Sequence, residues 1–156
     1  MGHSKAEKAI SRERILSAAS MRIREAGLEG LTVGQLMKSV NLTQGGFYGH
    51  FASRADLITA VLERALAEGE ESPALHTSTH GQASVTSIVN SYLSAAHRDR
   101  PANGCAVSAL AGEVSRADPQ VTAIMAEHSM VRSRQLPQLS APPNRLRGSP
   151  KRLGRP

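Results

Sequence analysis

The sequence predicts an all-α protein. An N-terminal three-helix domain carries a helix-turn-helix, a second set of helices follows, and the C-terminal tail is disordered. Three observations support this. Apolar residues recur at helical spacing in successive segments from Ile15 to Met125. Residues 33–51 hold two short helical patterns separated by a tight turn. Residues 135–156 contain five of the eight prolines and no acid, and so forbid a sustained helix.

In chain order, residues 1–9 are polar, with Lys5 and Lys8, and read as a flexible arm able to touch phosphate. The first helix is expected from Ile10 to Ala26, because Ile15, Ala19, Ile23 and Ala26 share one face and Gly27 supplies a stop. Arg12, Arg14, Arg22 and Arg24 lie mostly off that face and read as a solvated surface beside Glu13 and Glu25. Thr32-Val33-Gly34-Gln35 has the form of a capping box opening the next helix, whose apolar residues are Val33, Leu36, Met37 and Val40. Asn41 tolerates the left-handed backbone a sharp turn needs, and Leu42 can plug the space between helices. Thr43 is a natural N-cap for a helix from Gln44 to His50 or Phe51. Ser53-Arg54-Ala55-Asp56 is a second box-like start, opening a fourth helix with a stripe of Leu57, Ile58, Val61, Leu62 and Ala65.

The helix after Asn41 has a composition that points outward. Gly45 and Gly46 sit in its first turn, where each costs roughly 1 kcal/mol relative to alanine. A helix that brings its N-terminal backbone against a surface has reason to shed side chains there. Gln44, Tyr48 and His50 can donate to phosphates or base edges, whereas Phe47 and Phe51 read as core. Two helices at this spacing are the unit whose second helix lies in a DNA major groove. The plain alternative is a glycine-loosened loop followed by an aromatic core patch.

Thr43-x-x-x-Phe47-Tyr48-x-His50-Phe51, followed by Ser53-Arg54-x-Asp56-Leu57, resembles the signature of the TetR/AcrR family of bacterial transcriptional regulators. The resemblance spans roughly residues 10–66. It implies an all-helical homodimer, with an N-terminal DNA-binding domain and a larger helical domain that binds a small-molecule effector. The expected partner is double-stranded DNA with a palindromic operator. Thr32 and Arg54 occupy positions that meet DNA backbone in the family, so the expected DNA-binding set is Thr32, Thr43, Gln44, Gly45, Gly46, Tyr48, His50 and Arg54. Among these Gln44 is the base-edge candidate. The resemblance implies no enzyme activity and no cofactor. Family members are usually longer than this chain, so the effector domain is expected to be short.

Residues 67–80 read as a boundary loop or a frayed helix end, with Gly69 and Pro73, opening a partial effector-binding and dimerisation domain over 67–134. His76 and His80 are four apart, but no third ligand stands near them, so no metal site is expected. A continuous helix is expected over Gln82–His97, its face marked by Val85, Ile88, Val89, Tyr92, Leu93 and Ala96. A turn over Arg98–Gly104 leads to a helix over Cys105–Ser115, with Val107, Leu110, Ala111 and Val114 on one face. Asp118-Pro119 is an N-cap and first-turn pair opening a helix with Val121, Ile124, Met125 and His128. Cys105 has three readings: a small buried hydrophobe, a redox or electrophile sensor as in some family members, or a nucleophile. The last would make the chain a small Cys105-dependent enzyme, but no hydrolase signature accompanies it.

Periodicity stops after about Val131. In the family the last two helices build the dimer interface, and the tail holds nothing to replace them. A frameshift or truncation near residue 131 is one expectation, leaving a regulator with impaired dimerisation and weak DNA binding. A natural basic tail is the other. Net charge is +3 over residues 1–66, −4 over 67–131 and +7 over 132–156, so the two ends favour polyanions. The single cysteine permits no internal disulfide, and no apolar run or secretory signal stands out, which together predict a cytoplasmic protein without a membrane partner.

Overall fold

The computed structural model describes residues 4–70 and 85–140, and every regular element among them is helical. These are α1 (Lys5–Ala26), α2 (Val33–Ser39), a 3₁₀ segment η1 (Gln44–Gly49), α3 (Arg54–Glu70), α4 (Val85–Tyr92), α5 (Ala95–Asp99), a 3₁₀ turn η2 (Pro101–Asn103), α6 (Ala106–Val114) and α7 (Pro119–Ser140).

The first helix starts at Lys5, five residues before the expected Ile10, so most of the expected arm is helical. The cause is a capping box. The Ser4 hydroxyl accepts from the Glu7 N–H at 3.1 Å, and the Glu7 carboxylate accepts from the Ser4 N–H at 2.7 Å. Ser-x-x-Glu is visible in the sequence at this point but precedes the apolar face, which begins at Ile15. Gly27 ends the helix as expected, at φ 73°, with its N–H bonded to the Ile23 carbonyl.

One apolar cluster runs through the described molecule. Ile15, Ala19 and Ile23 of α1, Leu36 and Met37 of α2, Phe47 and Phe51, and Leu57, Val61, Leu62 and Ala65 of α3 form its N-terminal part. Ala106, Leu110 and Val114 of α6 and Val121 and Met125 of α7 join the same cluster, packing on α1 and α3. Fully burying each of the larger side chains stabilises the fold by roughly 1.5–3 kcal/mol relative to exposure. The helix-turn-helix is therefore seated on the helices that follow it.

Buried polar contacts reinforce that seating. Arg24, expected on a solvated surface, lies in the interior, its side chain 4% exposed. Its guanidinium donates to the Ser20, Ala65 and Ala102 carbonyls and, at 2.8 Å, to the Glu68 carboxylate, so α1, α3 and η2 meet on one cation. Burial pushes the Glu68 carboxyl up, but hydrogen bonds from Arg24, Arg64 and Ser20 outweigh burial and hold it below its ordinary value. Arg64 also bridges to Glu13.

Other boundaries differ from expectation. Helix α3 continues through Glu70, so residues 67–70 take the helix-end reading of the boundary segment rather than the loop. The expected Gln82–His97 helix breaks after Tyr92. The Ser94 hydroxyl accepts from the His97 N–H and caps a new helix, α5, because serine competes for backbone donors in this way. Val89, Tyr92 and Leu93 from the expected apolar face stand exposed. On α6 the buried face uses Ala106 in place of the expected Ala111. Asp118 caps α7 as expected, accepting from the Gln120 N–H at 2.9 Å.

Helix α7 runs to Ser140 across Pro137, past the expected start of disorder at 135. One proline near a helix end removes one hydrogen bond and does not forbid the turn. The remainder of the expected tail, like His76 and His80, lies outside the described residues.

Candidate nucleic-acid interface

The turn between α2 and η1 is built from backbone. The Asn41 N–H donates to the Lys38 carbonyl at 3.1 Å and the Leu42 N–H to the Met37 carbonyl at 2.8 Å. Asn41 sits at φ 57°, the left-handed conformation the sequence led us to expect of it. The Arg14 guanidinium of α1 donates to the Val40 carbonyl at 2.7 Å, securing the turn from the neighbouring helix.

Thr43 caps η1. Its hydroxyl accepts from the Gly46 N–H at 3.2 Å, while its carbonyl accepts from the same group at 3.0 Å. That three-residue closure makes the segment a 3₁₀ helix over Gln44–Gly49 rather than an α-helix to His50, which instead provides the C-terminal cap. Three glycines in six residues leave little α-helical propensity to oppose the tighter winding. A side chain at Gly45 or Gly49 would meet only open space, so the glycines keep the outer face of η1 low.

The inner face is anchored by aromatic packing. Phe47 is 1% exposed and stacks on buried Phe51 with centroids 5.6 Å apart. The Arg12 guanidinium lies 4.9 Å from the Phe51 ring centroid. Arg12 and Arg14 are exposed, as the sequence suggests, yet they also brace η1 and the turn before it. Each acts on a residue more than twenty positions away, and no local pattern signals this.

Tyr48, next to the anchor, is 73% exposed, its ring edge-on to Phe47 at 5.2 Å. Gln44, Gly45 and Gly46 are exposed beside it. The Gln44 side-chain oxygen lies 3.7 Å from where a Cβ on Gly34 would stand, an ordinary contact distance, so Gln44 lies over the first turn of α2. Thr32 is exposed at the start of that helix. It occupies the N-cap position without a side-chain capping bond, so the expected box with Gln35 does not form. His50 is half-buried, its N–H bonded to the Phe47 carbonyl.

Arg54 has partners within the chain that the sequence does not suggest. Its guanidinium turns back from the front of α3 to donate to the Leu28 carbonyl at 2.8 Å and, from Nε, to the Leu31 carbonyl at 3.4 Å. It pins the loop between α1 and α2. The structure thus gathers Thr43, Gln44, Gly45, Gly46 and Tyr48 on one exposed tip, sets Thr32 at the start of the adjoining helix, and gives Arg54 intramolecular partners. The Ser53 hydroxyl accepts from the Asp56 N–H as the sequence suggests, but the Asp56 carboxylate accepts from Ala52 rather than Ser53.

Cys105 stands apart, at the N-cap of α6, half-buried. Burial pushes its thiol up, but hydrogen bonds from the Tyr92 side chain and from Ser108 and Val107 outweigh this and bring it below its ordinary value. Burial and the same contact push Tyr92 up to about 12. Among the described residues no three His, Cys, Asp or Glu side chains form a group able to hold a metal ion, and no helix is long and apolar enough to cross a membrane.

Comparison with known proteins agrees with this geometry. Residues 15–61 match the family model described as bacterial regulatory proteins, tetR family. The fold is similar to the crystal structure of a TetR-family transcriptional regulator from Agrobacterium tumefaciens, with a TM-score of 0.72 and 17% identity, over 85% of this chain and 70% of that one. No curated protein matches the chain. The family's own model thus covers the braced helix-turn-helix, and residues 15–61 are similar to the corresponding segment of bacterial regulatory proteins of the tetR family.

Proposed function

We propose that this protein is a ligand-responsive transcriptional repressor that reads a palindromic operator as a homodimer. The supporting observation is the division of labour within η1: Phe47 holds the segment in the core while Gln44, Gly45, Gly46 and Tyr48 remain exposed. Gln44 reads a base edge. Thr43, Tyr48, His50 and Thr32 fix register on phosphates. Arg54 serves first by holding the α1–α2 loop. Two copies read half-sites one helical turn, or a multiple of it, apart.

An effector bound among the helices between residues 82 and 131 changes the spacing of the two reading heads. It releases DNA only by favouring one spacing over the other. The shared core supports this route, since α6 and α7 pack directly against α1 and α3. The test is selection of bound duplexes from a random pool. Recovery of an inverted repeat supports the proposal, and recovery of unrelated sequences counts against it.

A further inference from the structure

Glu113 of α6 reaches across to the end of α1. Its carboxylate accepts a hydrogen bond from the Leu28 backbone N–H at 2.8 Å, although 85 residues separate the two in sequence. The contact depends on Gly27. A Cβ built there would lie 2.1 Å from one Glu113 carboxylate oxygen and 2.8 Å from the other. Gly27 is also at φ 73°, in the region that favours glycine. The glycine that ends α1 therefore also makes room for a carboxylate from the second set of helices.

The other side of the same peptide segment faces the reading head. The Leu28 carbonyl accepts from Arg54 at 2.8 Å, and the Leu31 carbonyl accepts from Arg54 Nε. Arg54 is the first residue of α3, three residues after Phe51, and Leu31 leads directly into Thr32 and α2. Glu113, Leu28 and Arg54 thus form a continuous run of hydrogen bonds from α6 to both flanks of the helix-turn-helix.

We infer that Glu113, admitted by Gly27, is a positioning residue for DNA reading: its carboxylate fixes the α1–α2 loop, and through Arg54 fixes how the helix-turn-helix is presented. This rests on the proposed DNA reading. Movement of α6 would be felt at the loop directly through this contact, in addition to its packing in the apolar core. The acceptor oxygen matters more than the charge, so glutamine suffices and alanine does not.

The test uses the full chain as wild type, Glu113→Gln, Glu113→Ala and Glu113→Asp, and compares amide exchange with affinity for a duplex selected from a random pool by wild type. Glu113→Ala is expected to speed exchange of the Leu28 amide about tenfold while the Ile23 amide is unchanged, and to weaken the duplex about tenfold, one ordinary hydrogen bond in each case. Glu113→Gln should restore both within about twofold on the same reasoning. Glu113→Asp is one methylene short, should resemble the alanine variant, and substitutes for it if that variant does not fold. Unchanged Leu28 exchange in Glu113→Ala overturns the contact. Faster exchange with unchanged affinity overturns the positioning role while leaving DNA reading intact. Failure of wild type to select any duplex overturns both the positioning role and the functional reading.

Discussion

Phe47 and Tyr48 are neighbours in sequence and should respond oppositely to substitution. Phe47→Ala removes a ring that is 1% exposed, stacked on Phe51 at 5.6 Å and edge-on to Tyr48 at 5.2 Å. Truncating a buried phenylalanine costs about 3–5 kcal/mol, and loss of two aromatic contacts places this case in the upper part of that range. The six-residue, glycine-rich η1 has almost no stability of its own to offset the loss. Against a total of roughly 5–15 kcal/mol for an ordinary domain, the variant should be marginal. Tyr48→Phe keeps the ring and removes a hydroxyl from a residue that is 73% exposed, so its stability should stay within about 0.5 kcal/mol. Urea unfolding of the full chain, followed by far-ultraviolet circular dichroism, measures both. A loss below about 1 kcal/mol in Phe47→Ala would show that the ring does not anchor the tip. So would an equal loss in Tyr48→Phe.

Three further predictions concern the framework around the tip. Glu68→Ala leaves the Arg24 cation buried without its carboxylate and should cost near the lower end of about 3–5 kcal/mol, because the Glu68 side chain is 28% exposed. Since the folded protein holds the Glu68 carboxyl below its ordinary value of 4.5, its contribution is complete above about pH 4.5 and is lost as pH falls through the lowered folded value. Glu68→Gln should therefore flatten the acid limb of a stability–pH profile, and an unchanged limb would contradict the ion-pair assignment. At Asn41, φ 57° predicts that Asn41→Gly is nearly neutral whereas Asn41→Val costs about 1–2 kcal/mol in the same urea assay. Equal effects would count against the left-handed turn. Iodoacetamide labelling of Cys105 should follow a thiol titration below the ordinary range, shifted upward by Tyr92→Phe. A profile unmoved by that substitution would remove Tyr92 as the partner.

The features legible in the sequence were those written within one turn of chain. Thr43 as a cap, Asn41 as the left-handed residue, Asp118-Pro119 as a helix start and the inward Phe47 and Phe51 all depend on near neighbours, and all stand in the structure. The start of α1 is written in Ser4-Lys5-Ala6-Glu7, but it lies outside the apolar period that marks the rest of the helix. Interactions across tens of residues were not legible. Arg14 bonding Val40, Arg24 gathering three elements, Arg54 turning to Leu28 and Glu113 reaching Leu28 all join charged side chains to distant backbone, and Arg24 is buried where local pattern gives solvent. Charged residues at helix ends carry no local mark of which carbonyl or amide they will find. At Thr32 a capping-box pattern was present but its hydrogen bonds were not, because the four-residue spacing permits the box without compelling it.

The central claim is that the exposed tip of η1 is laid against duplex DNA. A salt series of binding to a selected duplex, for wild type and for a Gln44→Ala/Tyr48→Ala variant, tests it most directly. Wild type should lose affinity linearly in log–log form, with a slope near −0.9 for each phosphate neutralised, and the variant should bind at least about tenfold more weakly at every salt concentration. Binding by the variant as tight as that of wild type, or no binding by wild type even at low salt, would contradict it.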